Sequence, residues 1–257
     1  MTGLAFNILK LRRNTFLESV EYFEQIASTN TAALDRLHSV PELDNVLVLT
    51  AEQTAGRGRG NHQWYASKGA LTFSLIRNFS KLSGNDLATL ALVTGIGVAN
   101  GLQKLTSSPI QLKWPNDIFV AGKKLGGILI ETHQATPQTP VIGIGLNINN
   151  QIQQHAPKDV AAASISLIDL IGTTSNLTDV LIGLLNHLDN FYRQLNAKTT
   201  DIPSHWNPRC MLKGSKVDFV QGKTRYQGNC HGVQADGALL LEIDGEIRPF
   251  YSGSITL

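Results

Sequence analysis

Thr54-Ala55-Gly56-Arg57-Gly58-Arg59-Gly60-Asn61-His62-Gln63-Trp64 alternates three glycines with two arginines and closes on a tryptophan. Glycine lets backbone N–H groups approach an anion with no Cβ in the way. Arginine adds a forked, permanently charged donor that suits carboxylate and phosphate. The stretch reads as a loop that closes over a small anionic ligand. A flexible glycine loop with two solvated arginines fits the same residues. The dinucleotide fingerprint is excluded, since it needs a different glycine spacing followed directly by a helix.

The strand that delivers the chain to this loop is Val46-Leu47-Val48-Leu49-Thr50, followed by Glu52-Gln53. Upstream, residues 4–17 make a short amphipathic segment and 20–26 alternate as a strand. Ser28-Thr29-Asn30 then offers N-cap side chains to a helix over about 31–38. Downstream, Leu71-Thr72-Phe73-Ser74-Leu75 alternates and predicts a half-buried strand. Residues 86–105 repeat apolar side chains at helical spacing, and Gly95, Gly97 and Gly101 mark close packing against a sheet. Residues 110–114 form a strand stopped by Pro115. A hairpin turns around Ala121-Gly122-Lys123, and 141–148 is a buried strand. The polar stretch 149–177 predicts loops with one short helix near 162–170. The apolar ladder from 181 to 195 predicts an amphipathic helix capped by Thr178. Beyond Pro203 and Pro208 only short strands follow, with tight turns at Gln221-Gly222, Asp236-Gly237 and Asp244-Gly245. The chain therefore divides into 1–207 and a compact all-β unit, 208–257.

Composition bounds the function. At 257 residues the chain holds one large domain and a small one. A net charge of +2 argues against a nucleic-acid or membrane surface. Positive field is therefore local, with Arg57, Arg59, Lys113, Lys123 and Lys124 as candidates. Cys210 and Cys230 make no disulfide framework, which fits a reducing compartment. The first 30 residues hold charges where a signal peptide would be apolar, and no apolar run reaches membrane-spanning length. A cytoplasmic protein is expected.

Two further stretches carry chemistry. Lys113-Trp114-Pro115-Asn116-Asp117 sets a cation, an amide and a carboxylate at a strand end, where Pro115 fixes the turn. A strand-terminating turn with a solvated lysine is the competing reading. Gly143-Ile144-Gly145-Leu146-Asn147-Ile148-Asn149 puts small residues and amides in a buried strand, which fits tight packing as well as a ligand.

Together, Ser28-Thr29-Asn30, Gln53, Gly56-Arg57-Gly58-Arg59-Gly60, Trp64, Lys113-Trp114-Pro115-Asn116-Asp117, Lys124-Leu125-Gly126-Gly127-Ile128-Leu129 and Gly143-Ile144-Gly145-Leu146-Asn147 form one ordered set. In that order and spacing the chain resembles the biotin protein ligases, which attach biotin to carboxylase carrier domains. The likeness runs from about residue 20 to the C-terminus. It implies an α/β (α+β) catalytic domain on a mixed sheet, followed by a small SH3-like barrel. It also implies two reactions. Biotin and MgATP give biotinyl-5′-adenylate and pyrophosphate, and a lysine of a biotin carboxyl carrier domain, as in acetyl-CoA carboxylase, then releases AMP.

The resemblance assigns roles residue by residue. Lys113 is similar to the lysine that bridges the biotin carboxylate and the α-phosphate, and Arg57 and Arg59 resemble the arginines of the ligand loop. These three are the catalytic candidates. Ser28, Thr29, Asn30 and Gln53 resemble the residues that bind the biotin ureido ring, with Gly126 and Gly127 flat against its ring and tail. The backbone N–H groups of Gly56, Gly58 and Gly60 would be free to donate to phosphate or carboxylate. Asn116 and Asn147 look like adenine-side or ribose-side groups. Trp64 either packs by the adenine or anchors the loop, and Asp117 either assists Mg²⁺ or pairs with an arginine. Gly60-Asn61-His62-Gln63 stands where many relatives carry further basic residues. About 20 residues precede the first strand, too few for the winged helix-turn-helix of the DNA-binding members, so no DNA binding is expected. Both monomers and homodimers occur in that family. A lipoate or octanoate ligase or transferase would share the fold, and a non-catalytic adenylate or biotin binder is the alternative from another class.

Overall fold

The computed structural model describes residues 6–60, 62–81 and 86–256. Residues 4 and 5 of the amphipathic segment, Asn61 of the loop and the side chain of Leu87 lie outside the described residues.

The chain opens with α1 (Ile8–Asn14), capped by Asn7, whose side chain accepts from the Lys10 N–H. Then come β1 (Ser19–Ile26), α2 (Thr29–Ser39) and β2 (Val46–Gln53). Strands β1 and β2 pair in parallel, so the chain must cross over between them, and α2 makes that crossing. Ser28 caps α2, as its residue type predicts: its hydroxyl accepts from the Thr31 N–H. Next are β3 (Leu71–Ile76), α3 (Asp86–Leu102), β4 (Ile110–Lys113), β5 (Asp117–Val120), β6 (Lys123–Glu131) and β7 (Val141–Leu146). The seven strands form one sheet in the order β1-β2-β3-β7-β6-β5-β4, antiparallel at every pairing except the first. This is the mixed sheet expected.

Strand alternation gives this sheet two different faces. Leu47, Leu49, Phe73, Leu75, Ile142, Ile144 and Ile128 belong to the main core, with side chains of α3 and the long helix α7 (Leu177–Asn196). The opposite face carries Val46, Val48, Ile76 and Val141, which pack under Ala33 and Leu37 of α2. Cross-strand register extends that face in a row: Thr50, Thr72, Gly145, Gly127, Asp117 and Lys113 stand opposite one another in turn. A parallel row runs Val48, Ser74, Gly143 and Leu129. Small and polar side chains there leave room above the strands.

Several expectations change. β3 is buried along its whole length, not half-exposed, because Thr72 and Ser74 point at this second face and not at solvent. α3 stops at Leu102, three residues early. Of its glycines only Gly95 meets the sheet, near Leu112 and Ile128. An added Cβ on Gly97 or Gly101 would lie 2.9 or 2.8 Å from Leu188 or Leu184 of α7, so those two serve a helix–helix contact. α7 begins four residues before the apolar ladder and is capped by Asn176, while the Thr178 hydroxyl accepts from the Asn7 N–H. The stretch 149–177 holds three short helices, α4 (Ile152–His155), α5 (Lys158–Ala163) and α6 (Leu167–Ile171). Polar, short segments of this kind lack the periodicity that would reveal them.

After α8 (Ile202–Trp206) come β8 (Lys216–Gln221), β9 (Thr224–Val233), β10 (Leu239–Ile243), β11 (Glu246–Phe250) and β12 (Ser254–Thr256). They make a small antiparallel, SH3-like sheet in the order β11-β10-β9-β8-β12. Asp244 and Gly245 both take positive φ, 55° and 80°, the tight hairpin geometry that an aspartate-glycine pair favours. Trp114 ties the two sheets together. Its indole N–H donates to the Gly237 carbonyl at 3.1 Å, and its ring centroid lies 6.2 Å from that of Phe219.

Candidate active site

A cavity of about 570 Å³ opens over the small-residue face of the large sheet. The start of α2 supplies Ser28, Thr29 and Asn30, and the end of β2 supplies Gln53. Residues 57–60 and 62–64 form one wall, the β4–β5 corner with Lys113 to Asp117 another, and Gly253 to Ile255 of the small sheet close a third side. Ser28, Thr29, Asn30, Gln53, Arg57, Gly58, Arg59, Trp64, Lys113, Asn116, Asp117 and Gly127 all border this space. Gly56, Gly126 and Asn147 do not. Gly126 faces Leu146 and the Gly145 carbonyl, and Asn147 is buried with its side-chain Oδ1 accepting from Asn150 Nδ2 at 3.0 Å.

The end holding α2 is a polar network. Gln53 Oε1 accepts the Thr29 N–H at 2.7 Å and the Thr29 hydroxyl at 3.1 Å. Ser74 Oγ lies 2.8 Å from Thr29 Oγ1 and donates to Asn30 Oδ1 at 2.5 Å. Asn30 Nδ2 donates to the Leu129 carbonyl at 3.2 Å and to Glu131 Oε2 at 2.8 Å. Gly143 makes this possible, because a Cβ there would sit 2.1 Å from Asn30 Oδ1. Ser74 and Thr72 escaped the sequence reading; their signal was the polar alternation of β3, taken for exposure.

Arg57, Arg59, Lys113 and Lys124 bring positive charge to the lining. Arg57 forks onto Glu131, Nη1 to Oε1 at 2.9 Å and Nη2 to Oε2 at 2.8 Å. Arg59 donates to the Gly253 carbonyl at 3.0 Å, joining the loop to the small sheet. Lys113 is half-buried, and burial pushes its ammonium below the usual lysine range. Asp117 pulls it back up, and Lys124 pushes it further down. Lys124 borders the cavity and pairs with Asp117 at 2.6 Å. The sequence marks Lys124 as a local cation at the head of the Lys124-Leu125-Gly126-Gly127 motif but gives no sign that it reaches the cavity. Asn116 donates to the Ile128 carbonyl at 2.7 Å, which closes the corner after the cis Trp114–Pro115 peptide.

The loop is a small hairpin of its own. Gly58 N–H donates to the His62 carbonyl at 2.7 Å and Trp64 N–H to the Gly56 carbonyl at 3.0 Å. The Gly58 N–H is therefore spent inside the loop, not free for an anion as expected. Gly56 is needed for close approach, since a Cβ there would lie 2.4 Å from the Trp64 carbonyl oxygen. The Trp64 indole rests on Gly145, whose added Cβ would fall 2.4 Å from Cε2, so in this conformation the tryptophan anchors the loop to β7.

The donor set does not fit a resident Mg²⁺. The lining carboxylate, Asp117, is engaged by Lys124, Glu131 behind the wall is engaged by Arg57, and no group of three or more His, Cys, Asp or Glu converges among the described residues.

Comparison with known proteins agrees with this geometry. Residues 22–147 match the biotin/lipoate A/B protein ligase family model. The chain is 32% identical over 245 residues to the bifunctional ligase/repressor BirA of Escherichia coli, covering 93% of this chain and 74% of that protein. It is 28% identical to the biotin–[acetyl-CoA-carboxylase] ligase of Mycobacterium tuberculosis, covering 90% and 86%. The fold matches the Aquifex aeolicus biotin protein ligase solved with biotin and ATP, with a TM-score of 0.81 at 24% identity, covering 93% and 98%. The chain belongs to the biotin/lipoate A/B protein ligase family. Among the described residues no helix is long and apolar enough to cross a membrane.

Proposed function

We propose that this protein is an ATP-dependent biotin–[acetyl-CoA-carboxylase] ligase, acting through biotinyl-5′-adenylate on a lysine of a biotin carboxyl carrier domain. One observation carries the reading. A single cavity brings neutral hydrogen-bonding side chains, Thr29, Asn30 and Gln53, together with the cations Arg57, Arg59, Lys113 and Lys124. Biotin has the matching polarity, with a neutral ureido ring at one end and a carboxylate at the other. In the first step a carboxylate oxygen attacks the α-phosphorus, and the bond to the β-phosphate oxygen breaks to release pyrophosphate. Two anions must meet, so fixed cations lower the barrier where charge accumulates. The lysine and arginine side chains do this work, Lys113 standing at the end of β4 opposite Asp117 in the strand register. In the second step the carrier lysine amine attacks the acyl carbon, an amide forms, and AMP leaves. Mg²⁺ enters with the nucleotide as part of the substrate.

The remaining roles follow the lining. Ser28, Thr29, Asn30 and Gln53 take the ureido ring, with the Gln53 NH₂ left as a donor. Gly127 lets the ring and tail lie on β6, and Trp64 and Asn116 border the nucleotide. Residues 1–207 form the catalytic domain and 208–257 the barrel. The two free thiols fit a reducing cytoplasm.

Incubation with ATP, biotin and a carrier domain should add one biotin mass to the carrier. No addition, or addition of lipoate in its place, overturns the reading.

A further inference from the structure

We propose that Glu131 is a positioning residue that holds the loop cation Arg57 and the pocket amide Asn30 in register with each other. Glu131 ends β6 and does not itself border the cavity. Its two oxygens take the Arg57 fork at 2.9 and 2.8 Å, and Oε2 also takes Asn30 Nδ2 at 2.8 Å. The two residues it joins come from distant parts of the chain, 74 and 101 positions away.

The clamp does not consume the cation. A guanidinium has five N–H donors, so after two go to Glu131 three remain for an anionic ligand. The effect on Asn30 is directional. A carboxylate only accepts, so Asn30 must turn its NH₂ toward Glu131, where the Leu129 carbonyl takes the second hydrogen. Its Oδ1 then faces Ser74, with one lone pair left over. Asn30 therefore receives a ligand N–H and rejects a ligand carbonyl. A cyclic urea edge carries such an N–H. One carboxylate thus sets both the placement of the loop cation and the hydrogen-bond polarity of the Asn30 amide beside it.

The ligand part of this inference rests on the biotin-ligase reading, while the clamp rests on geometry alone. Glu131→Gln preserves volume, removes the charge and presents an amide that accepts or donates. In the full chain it should raise the biotin KM about tenfold or more, with kcat for pyrophosphate release within about threefold. Amide exchange across residues 56–60 should accelerate about tenfold without ligand, and Glu131→Asp should restore part of both effects. In an Arg57→Ala background, Glu131→Gln should no longer change loop exchange. Unchanged KM and exchange, or the same exchange increment in both backgrounds, would overturn the proposal. If the wild-type chain releases no pyrophosphate with biotin and ATP, the ligase reading falls. Loop exchange then decides the clamp on its own.

Discussion

Lys113 carries the sharpest residue-scale consequence. Burial disfavours its charged form, Asp117 restores it in part, and Lys124 opposes it. A lysine held below its ordinary value destabilises the folded chain at low pH. That cost disappears as pH rises past the ordinary lysine value. For activity the sign is the reverse, since Lys113 loses its charge sooner on the alkaline side. Pyrophosphate release should therefore fall at a lower pH than an ordinary lysine would give. Asp117→Asn should move that alkaline limb down and Lys124→Met should move it up, whatever each does to the maximum. Limbs that do not move in a pH–rate profile would separate Lys113 from the chemistry. Lys113→Ala should cost about 10²–10³ in kcat, with melting temperature held near wild type, as for loss of a pre-placed charge stabiliser.

At the scale of elements, two kinds of glycine behave differently. Those of β7 make room for site side chains, and Gly97 and Gly101 of α3 make room for α7. Gly143→Ala would place a Cβ against Asn30. It should raise the biotin KM about tenfold and destabilise by roughly 1–3 kcal/mol, read from enzyme kinetics and urea unfolding. Gly97→Leu drives extra atoms into Leu188 of α7. It should cost about 1–3 kcal/mol in urea unfolding while leaving the biotin KM alone, because the contact lies on the far face of the sheet. Sequence alone showed these glycines but not their partners. Periodicity marks a buried position and says nothing about which element arrives there. The same limit explains β3, where a polar residue facing a cavity and one facing water make the same alternation.

For the whole molecule, the small sheet is not a loose appendage. Trp114, Phe219, Leu241 and the buried side chains of α3 and α7 belong to one continuous core, and the Arg59–Gly253 contact crosses between the sheets at the cavity. Phe219→Ala should cost about 3–5 kcal/mol and lower the melting of the entire chain in one transition. Two separated calorimetric transitions would contradict that coupling. The loop 56–64 should exchange its amides faster without ligand than with biotin and ATP, a difference that hydrogen exchange reads directly. A loop equally protected in both states would not be the closing wall of this cavity.

The strands of the large sheet, the long helices α3 and α7, the aspartate-glycine hairpins, the Ser28 cap and the glycine-arginine loop were legible in the chain, because each depends on neighbours a few residues away. So was the family, since several separated motifs agreed in order. Register across seven strands decided the rest. It set Gly127 rather than Gly126 toward the cavity, turned Asn147 into a buried partner of Asn150, and brought Ser74, Lys124 and Glu131 beside the predicted residues. A one-residue step along a strand moves a side chain to the opposite face. Only the folded sheet therefore determines which members of a motif meet the ligand and which hold up the wall.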